Sequence, residues 1–556
     1  MLRKNSAQRT LLWSGLLVAI ACGGSYSVRT ESGGETADTG GAAYAEYGGD
    51  GASEEMAPPS EPMPADTAAG GEAPTVATVA SAPPPQQQAR TQTETSTDTY
   101  ADDQEAGFVD AAQDAMVTFS LDVDTASYTR MRREINGGGL PDPRSVRPEE
   151  YLNFFRFDQA LEGQHAHRHE GAPFTTSLES GPSPFGGEGM RLLRVGVRAD
   201  AMDQGQRPPA NLVFLVDVSG SMASQGKLDL VKFSLETLVD SLRPDDTVGI
   251  VVYAGRVGTL IEPTRVENRG LLLEAIRGLT AGGSTNGEGG IRHAYDLAKQ
   301  HFRRGGINRV VLATDGDFNV GLTGNSLIEL IEEYRERDIT LTTLGFGRGN
   351  DRDLERLADH GNGNYAFVDS QNEALRVLAR DLQGTLQVVA KDVKIQVAMN
   401  DAVVDRFRLI GYENRRLAHR DFADDRVDAA EVGSGHFVTA LIEYRLKPNV
   451  RVTDGRDLAE VRVRYKKPDG RRSRLTTQSF RVSDGESRLS QTSPTFRFTA
   501  AVAELAEVLR HSEHSNQTDL EAVARLADDA LERWPGQWQD GQEFVRLVRR
   551  AAQLQR

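Results

Sequence analysis

The sequence predicts an α/β protein with a doubly wound, mainly parallel sheet, flanked by an antiparallel β-rich region with C-terminal helices. Three observations support this class. From residue 211, short apolar segments alternate with amphipathic helical segments, as in sheets covered by helices on both faces. Beyond residue 386 the apolar period shortens to that of strands. Ala/Leu stripes at helical spacing then follow to the C-terminus.

The central region begins with a strand and continues by alternation. Residues 212–216 form a continuous apolar run, as a strand buried on both faces requires. Val231, Leu235 and Leu238 then recur at helical spacing. The remaining predicted elements are strands at 248–253, 259–263, 309–314, 340–346 and 363–368, and helices at 271–279, 290–302, 326–337 and 351–360.

The region after the central domain is predicted to be a sandwich-like set of antiparallel strands followed by helices. A strand is also predicted at 192–197, ahead of the central domain. Pro468-Asp469-Gly470 supplies a hairpin turn between two strands. The predicted strands are 393–397, 403–410, 436–444, 460–465 and 479–482, and the predicted helices are 496–509, 518–534 and 542–554.

Length and charge distribution limit the possible functions. At 556 residues the chain is too long for one core, so several domains are expected. The net charge of −17 divides into +3 for residues 1–22, −14 for 23–110 and −6 for the rest. The folded part therefore lacks the basic surface of a nucleic-acid-binding protein. A single cysteine excludes a disulfide framework and any zinc site built from several cysteines.

The N-terminus has the composition of a secretory signal. A basic head over residues 3–9 precedes an apolar run at 11–21, which is too short to span a membrane, and then comes Cys22. The segment 19–23 resembles a bacterial lipobox, which implies that the Cys22 thiol is lipidated and anchors the chain to a membrane. Gly23 after the cysteine implies export to the outer membrane. The alternative is an ordinary cleaved signal with an incidental cysteine.

The segment after Cys22 is expected to be a disordered acidic tether, because it is rich in Gly, Pro and Ala and its like charges repel. The predicted organisation is a signal peptide at 1–22, a linker at 23–111, an N-terminal segment packing on the central domain at 112–207, the central domain at 208–386, a sandwich-like domain at 387–490 and a helical segment at 491–556.

Oxygen-bearing side chains follow the strands of the central sheet, where ligands bind in such folds. Asp217, Ser219 and Ser221 alternate along the loop after the first strand, and Asp315 directly follows another strand. A Gly-rich loop between them offers Thr285. Two carboxylates and three hydroxyls, without sulfur or imidazole, suit a hard divalent cation: Mg²⁺ first, with Mn²⁺ or Ca²⁺ as alternatives.

These residues resemble the metal-ion-dependent adhesion site of a von Willebrand factor A (vWA) domain. The D-x-S-x-S loop, the downstream Gly-Gly-Ser-Thr and the strand-ending Thr-Asp-Gly each match a family motif. The resemblance implies that Asp217, Ser219, Ser221, Thr285 and Asp315 hold the cation. The stretches 147–155, 409–415 and 432–436 are similar to a bacterial subgroup of vWA lipoproteins with their own N-terminal segment and C-terminal partner domain.

The sequence favours a binding protein in the bacterial cell envelope. The cation would capture an Asp or Glu side chain of another protein, which would complete its coordination and balance its charge. An envelope scaffold with an unused metal site is the alternative. A metal-assisted hydrolase is disfavoured, because the sequence has no P-loop, no G-x-S-x-G elbow and no H-E-x-x-H helix. We therefore expect no enzymatic activity, no nucleotide and no nucleic acid.

Other polar clusters receive structural interpretations. Asp122, Asp124 and Ser127 imitate the metal loop, and a helix cap is predicted for them instead. The acid-rich loop 421–428 lacks the spacing of a known calcium loop. The alternating His165, His167 and His169 are expected in an exposed turn.

Overall fold

Strands and helices make up most of the chain that the structure describes. The computed structural model describes residues 105–121, 124–157, 166–203, 205, 207–284, 286–316, 325–347, 351–427, 429–515 and 518–556, all of them in one compact unit. The signal peptide, Cys22 and nearly all of the predicted tether lie outside the described residues.

The elements follow the predicted alternation. The first group comprises β1 (Val109–Asp110), β2 (Met116–Ser120), α1 (Ala126–Asn136), α2 (Pro148–Phe154), β3 (Ala166–Arg168), β4 (Phe174–Pro182) and β5 (Met190–Ala199). The central group comprises β6 (Ala210–Asp217), α3 (Lys227–Ser241), β7 (Thr247–Tyr253), β8 (Val257–Arg265), α4 (Arg269–Arg277), α5 (Gly287–Gln300), β9 (Ile307–Thr314), α6 (Asn325–Arg335), β10 (Ile339–Gly345), α7 (Asp351–His360), β11 (Tyr365–Phe367), α8 (Gln371–Ala374), a π-helical stretch (Leu375–Asp381) and α9 (Leu382–Thr385). The last group comprises β12 (Val388–Met399), β13 (Val404–Leu409), β14 (Ala430–Gly433), β15 (Phe437–Leu446), β16 (Asp457–Lys466), β17 (Ser473–Arg481), α10 (Pro494–Leu509), α11 (Leu520–Glu532) and α12 (Gln539–Leu554).

The central domain is a six-stranded sheet with the order β11-β10-β9-β6-β7-β8, parallel except for β8. Two apolar clusters, one on each face, pack helices against it. Strand β6 lies in the middle, pairs with β7 and β9, and is buried along its whole length. The predicted doubly wound, mainly parallel sheet is therefore confirmed. The carboxyl ends of β6 and β9 lie side by side, because Val216 is in register with Ala313.

The β-rich region is a pair of antiparallel sheets with a shared core. One sheet has the order β1-β13-β15-β5-β4-β3, and the other has the order β14-β12-β16-β17, with β2 also paired to β12. Leu178 and Val195 of the first sheet pack in one cluster with Ile395 and Val461 of the second. The predicted antiparallel β-rich region with C-terminal helices is thus confirmed.

Segments from outside the predicted range 387–490 contribute strands to the sandwich. Residues 109–110 fall in the predicted linker at 23–111 and form β1, which pairs with β13. The segment 112–207 was expected to pack on the central domain, and α1 does contact β11. Its strands, however, belong to the sandwich: β5 pairs with β15 from Phe437↔Arg198 to Arg445↔Met190, and β2 pairs with β12. The backbone N–H and C=O groups of β5 and β15 require hydrogen-bond partners. The two strands supply them to each other across about 240 positions of the chain.

Helices cover the outer face of the first antiparallel sheet. Phe155, which follows α2, is 1% exposed and its ring contacts those of Tyr128, Phe498 and Phe544 at centroid distances of 5.1, 5.2 and 5.6 Å. Burying each such ring contributes about 1.5–3 kcal/mol. The first and last segments of the folded chain therefore share one core.

The three stretches that resemble the vWA lipoprotein subgroup lie together in the structure. Asn153 of α2 donates to the Tyr412 hydroxyl at 3.0 Å and accepts from the Thr439 backbone N–H at 2.7 Å. Arg156 donates to the carbonyl of Gly435. These contacts join α2 to the loops at either end of the β13–β15 connection. The stretches thus form the joint between the N-terminal segment and the sandwich.

A buried carboxyl group at this joint makes stability depend on pH. Glu149 is 2% exposed and its Oε2 has no hydrogen-bond partner. Burial, reinforced by the charges of Glu413 and Glu150, raises its pKa to about 7. The folded chain therefore binds this proton more tightly than the unfolded chain does. Its contribution to stability is present below pH 4.5 and is lost as the pH rises toward 7.

We expect Glu149→Gln to flatten the pH dependence of stability. An amide stays neutral, so the loss of about 2–3 kcal/mol between pH 4.5 and 7 should disappear. Urea unfolding at several pH values measures this, with Glu262→Gln at a largely exposed position as the control. If the free energy of unfolding depended on pH equally in Glu149→Gln and the wild type, Glu149 would not be the group responsible.

Within the stretches of residues 105–556 that the structure describes, every helix is too short or too polar to cross a lipid bilayer.

Candidate metal centre

Asp217 is the buried anchor of the predicted site. It is the last residue of β6 and has no exposed surface. Its Oδ1 accepts the backbone N–H of Ser219 at 2.9 Å, and its Oδ2 accepts the hydroxyls of Tyr253 and Thr314 at 3.1 and 3.0 Å. Three donors from three neighbouring strand ends therefore hold this carboxylate in one orientation.

The two serines follow directly on the same loop. Ser219 is 2% exposed, whereas Ser221 is half-buried and begins to face solvent. Their hydroxyl oxygens lie 3.0 Å apart. From Gly220 to Gly226 the chain turns into a 3₁₀-helix that leads into α3. The extended backbone at Ser219 places both hydroxyls on the same side of the loop.

The Gly-rich loop reaches the metal loop through backbone contacts. The N–H of Gly220 donates to the carbonyl of Gly283 at 3.0 Å, and the N–H of Gly282 donates to the carbonyl of Val218 at 2.7 Å. Gly283 has a φ of +90°, which a side chain would strain, and a Cβ there would lie 3.3 Å from the Gly255 nitrogen. Thr285 lies outside the described residues, two positions beyond this contact.

Asp315 lies at the end of the adjacent strand β9 and is 3% exposed. Its Oδ2 accepts from the Lys227 ammonium at 2.8 Å. Its Oδ1 is buried and has no hydrogen-bond partner. Of the predicted ligands, Asp217, Ser219 and Ser221 are therefore joined by hydrogen bonds, and Asp315 follows Thr314, which binds Asp217.

The electrostatics of the site favour an added cation. Burial, and to a lesser degree the charge of Asp315, raises the pKa of Asp217. Two carboxylates against the single ammonium of Lys227 leave a charge of −1 among these three groups. Burial of an uncompensated charge is unfavourable, so a positive ion near Asp315 Oδ1 would lower the free energy of the folded state.

The donor set fits a hard divalent cation. A free carboxylate oxygen and two adjacent hydroxyls are oxygen ligands of the kind that Mg²⁺ and Mn²⁺ prefer. The described part of the chain contains no group of three or more His, Cys, Asp or Glu side chains placed for a metal. This centre, with two carboxylates and hydroxyls, is not a cluster of that kind.

The other polar clusters have structural partners. Asp124 is not a helix cap: α1 starts after Thr125 without a side-chain cap, and Asp124 accepts from the Tyr365 N–H at 3.2 Å and pairs with Arg415 at 3.2 Å. Asp124 is buried, and a buried carboxylate requires a charge partner, which Arg415 provides. In the acid-rich loop, Asp424 pairs with Arg426 at 2.7 Å.

The histidine triplet is only partly an exposed turn. His167 lies on the edge strand β3 and is exposed. His169 is 6% exposed and its Nε2 lies 2.9 Å from the Thr176 hydroxyl. His165 is outside the described residues.

Three residues of the site were not predicted from the sequence. Tyr253 and Thr314 orient Asp217, and Lys227 pairs with Asp315. Thr314 was identifiable, because it directly precedes Asp315 on its strand. The role of Lys227 could not be identified from the sequence, since a lysine at the first position of a helix is common.

Three family models match successive parts of the chain. A model of the von Willebrand factor type A domain matches residues 211–381, and a model described as von Willebrand factor matches residues 94–194. A third, described as the C-terminal part of the uncharacterized protein YfbK, matches residues 384–554. The central domain is therefore a vWA domain, a class that typically mediates protein interactions.

One relative is similar over most of the chain. The uncharacterized protein YfbK of Escherichia coli (strain K12) is 38% identical over 456 residues, which is 79% of this chain and 78% of the relative. The chain therefore belongs to the YfbK family of vWA-domain proteins.

Other relatives are more distant. Inter-alpha-trypsin inhibitor heavy chain H3 of Mesocricetus auratus is 30% identical over 215 residues, 35% of this chain and 23% of the relative. Among solved structures, a von Willebrand factor type A protein from Catenulispora acidiphila matches 69% of this chain and 91% of its own, with a TM-score of 0.42 and 14% identity.

We expect Lys227→Met to destabilise the protein in buffer containing EDTA. Removing the ammonium leaves the buried Asp315 carboxylate without a partner, which costs about 1–3 kcal/mol. Lys232→Met is the matched control, because Lys232 lies on the same helix and donates only to the Arg277 carbonyl. Urea unfolding compares the two, and equal losses in both variants would show that the ion pair is not structural.

Proposed function

We propose that this protein is a binding module that captures an acidic side chain of another protein through a divalent cation. Mg²⁺ is the proposed ion, with Mn²⁺ or Ca²⁺ as alternatives. Asp217, Ser219, Ser221, Thr285 and Asp315 are the proposed ligands, directly or through water. The cation supplies the positive charge that an incoming carboxylate requires.

The observation that carries the proposal is the buried, unpartnered Oδ1 of Asp315, which follows the strand next to the one that leads into the Ser219–Ser221 loop. A divalent ion would change the charge of −1 among Asp217, Asp315 and Lys227 to +1. One carboxylate from a partner would then bring the total to zero. The charge balance thus favours an acidic ligand over a neutral or basic one.

The surroundings of the site support access from outside. Gly282, Gly283 and Ser284 are exposed, and Ser221 is half-buried, whereas both carboxylates are buried. A partner can therefore approach the ion from the rim that the Gly-rich loop forms. Apart from the two carboxylates proposed to hold the cation, the described hydrogen-bond partners at the site include no histidine or carboxylate that could activate water, which favours binding over hydrolysis.

The proposal also includes the location of the module. Lipidation of Cys22 would tether the folded part to the bacterial envelope, at the outer membrane or its periplasmic face. This element depends on the sequence at 19–23 and on the acidic, Gly-rich composition of 23–111. The partner would accordingly be another envelope protein that presents an Asp or Glu.

Calorimetric titration of Mg²⁺ and Mn²⁺ into the purified protein tests the metal site. We expect one ion per chain. Asp217→Ala should abolish binding and Thr285→Ala should weaken it by about tenfold, since each substitution removes a ligand. Asp229→Ala, which removes an exposed carboxylate from the first turn of α3, is the control.

The partner is tested by retention of envelope proteins on the immobilised protein. Retention should require Mg²⁺, be reversed by EDTA, be lost in Asp217→Ala and survive Asp229→Ala. Absence of metal binding in the wild type would reject the proposal in favour of an envelope scaffold with an unused site. Metal binding without cation-dependent retention would reject the capture of an acidic partner.

A further inference from the structure

A second polar cavity lies at the opposite end of strand β9 from the metal centre. Its volume is about 280 Å³, and its walls come from both the vWA domain and the sandwich. Arg309 lines it near the start of β9, whereas Asp315 follows the end of the same strand. The rise of a strand separates these two positions by about 20 Å. The cavity is therefore distinct from the metal centre.

Arg309 is a buried cation without an acidic partner among the described residues. It is 5% exposed. Its Nε donates to the Thr340 hydroxyl at 3.1 Å, and its Nη1 and Nη2 donate to the hydroxyl and carbonyl of Thr385 at 2.9 and 3.3 Å. Three of the five N–H groups of the guanidinium are thus used, all on neutral acceptors. Its burial lowers its pKa to about 10.

The acidic side chains of the cavity are already paired. Asp359 lies 3.5 Å from Arg415, and Glu431 lies 3.2 Å from Lys391. Glu431 acts on Arg309 only through its field. The positive charge of Arg309 therefore has no acidic group in contact with it in the described part of the chain.

The opposite wall adds further donors. Arg416 lines the cavity from the sandwich side, is exposed, and its side chain has no bonding partner among the described residues. Asn362 and Asn364 line the wall on the vWA side. Guanidinium and amide N–H groups on facing walls match the oxygen atoms of a carboxylate or a phosphate.

We propose that this cavity binds a small oxyanion, a carboxylate or a phosphate, between the vWA domain and the sandwich. Arg309 is the buried donor to the anion, and Arg416 donates from the sandwich side. The amides of Asn362 and Asn364 are the remaining proposed donors. A volume of about 280 Å³ lies just below the usual range for ligand pockets, which fits a ligand as small as inorganic phosphate or a dicarboxylate. Because both domains contribute walls, the bound anion stabilises their junction.

The test is binding of sodium phosphate and sodium succinate to the full-length protein. Calorimetry and thermal unfolding are measured with EDTA present and with chloride balancing the ionic strength, so that neither the metal centre nor screening contributes. We expect saturable binding of one probe with a rise in Tm. Preference for phosphate or succinate identifies the oxyanion class.

Three variants distinguish the site from general charge effects. Arg309→Gln should weaken binding by about tenfold or more, because it removes a buried charged donor. Arg416→Gln, at an exposed position that tolerates substitution, should weaken it by about two- to fivefold. Arg471→Gln removes an equal charge from the exposed β16–β17 turn and should bind like the wild type.

The proposal is overturned if neither probe binds the wild type saturably, or if Arg416→Gln and Arg309→Gln bind as tightly as Arg471→Gln. If Arg309→Gln does not fold, the comparison of anion binding by Arg416→Gln and Arg471→Gln alone decides whether the proposal holds.

Discussion

Two carboxylates buried side by side are the constraint on which the central domain depends. Asp217 and Asp315 end the neighbouring parallel strands β6 and β9, and neither has more than 3% of its surface exposed. Burial alone would push such groups toward their neutral forms. Two hydroxyls and a backbone N–H stabilise the first, and a lysine ammonium stabilises the second. One oxygen, Oδ1 of Asp315, remains without a hydrogen-bond partner, and it is the proposed contact for the cation.

The elements around this site hold its strand ends and loops in place. Strand β6 pairs with neighbours on both edges, and α1 of the N-terminal segment contacts the edge strand β11. There Arg133 donates to the carbonyl of Gly347 at 2.8 Å, and a Cβ at Gly347 would lie 2.7 Å from that of Asp315. The N-terminal segment therefore supports the loop next to the metal centre as well as completing the sandwich.

Local patterns predicted most of the fold, and long-range pairing was the part they could not predict. The alternation of strands and helices gave the parallel sheet, because a buried strand such as β6 has an unbroken apolar run. The pairing of β5 with β15 was missed, since no local signal links segments so far apart. In the site, the motif residues were identifiable by spacing after strand ends. Lys227 and Arg309 were not, because their roles arise only from what surrounds them once the chain is folded.

The loop oxygens and Asp315 are proposed to form one cation site. Anomalous scattering from crystals grown with Mn²⁺ tests it most directly. We expect a single strong peak about 2.0–2.3 Å from Asp315 Oδ1 or its bound water and from the Ser219 and Ser221 hydroxyls. A map without a peak there, or with manganese bound elsewhere on the surface, would contradict it.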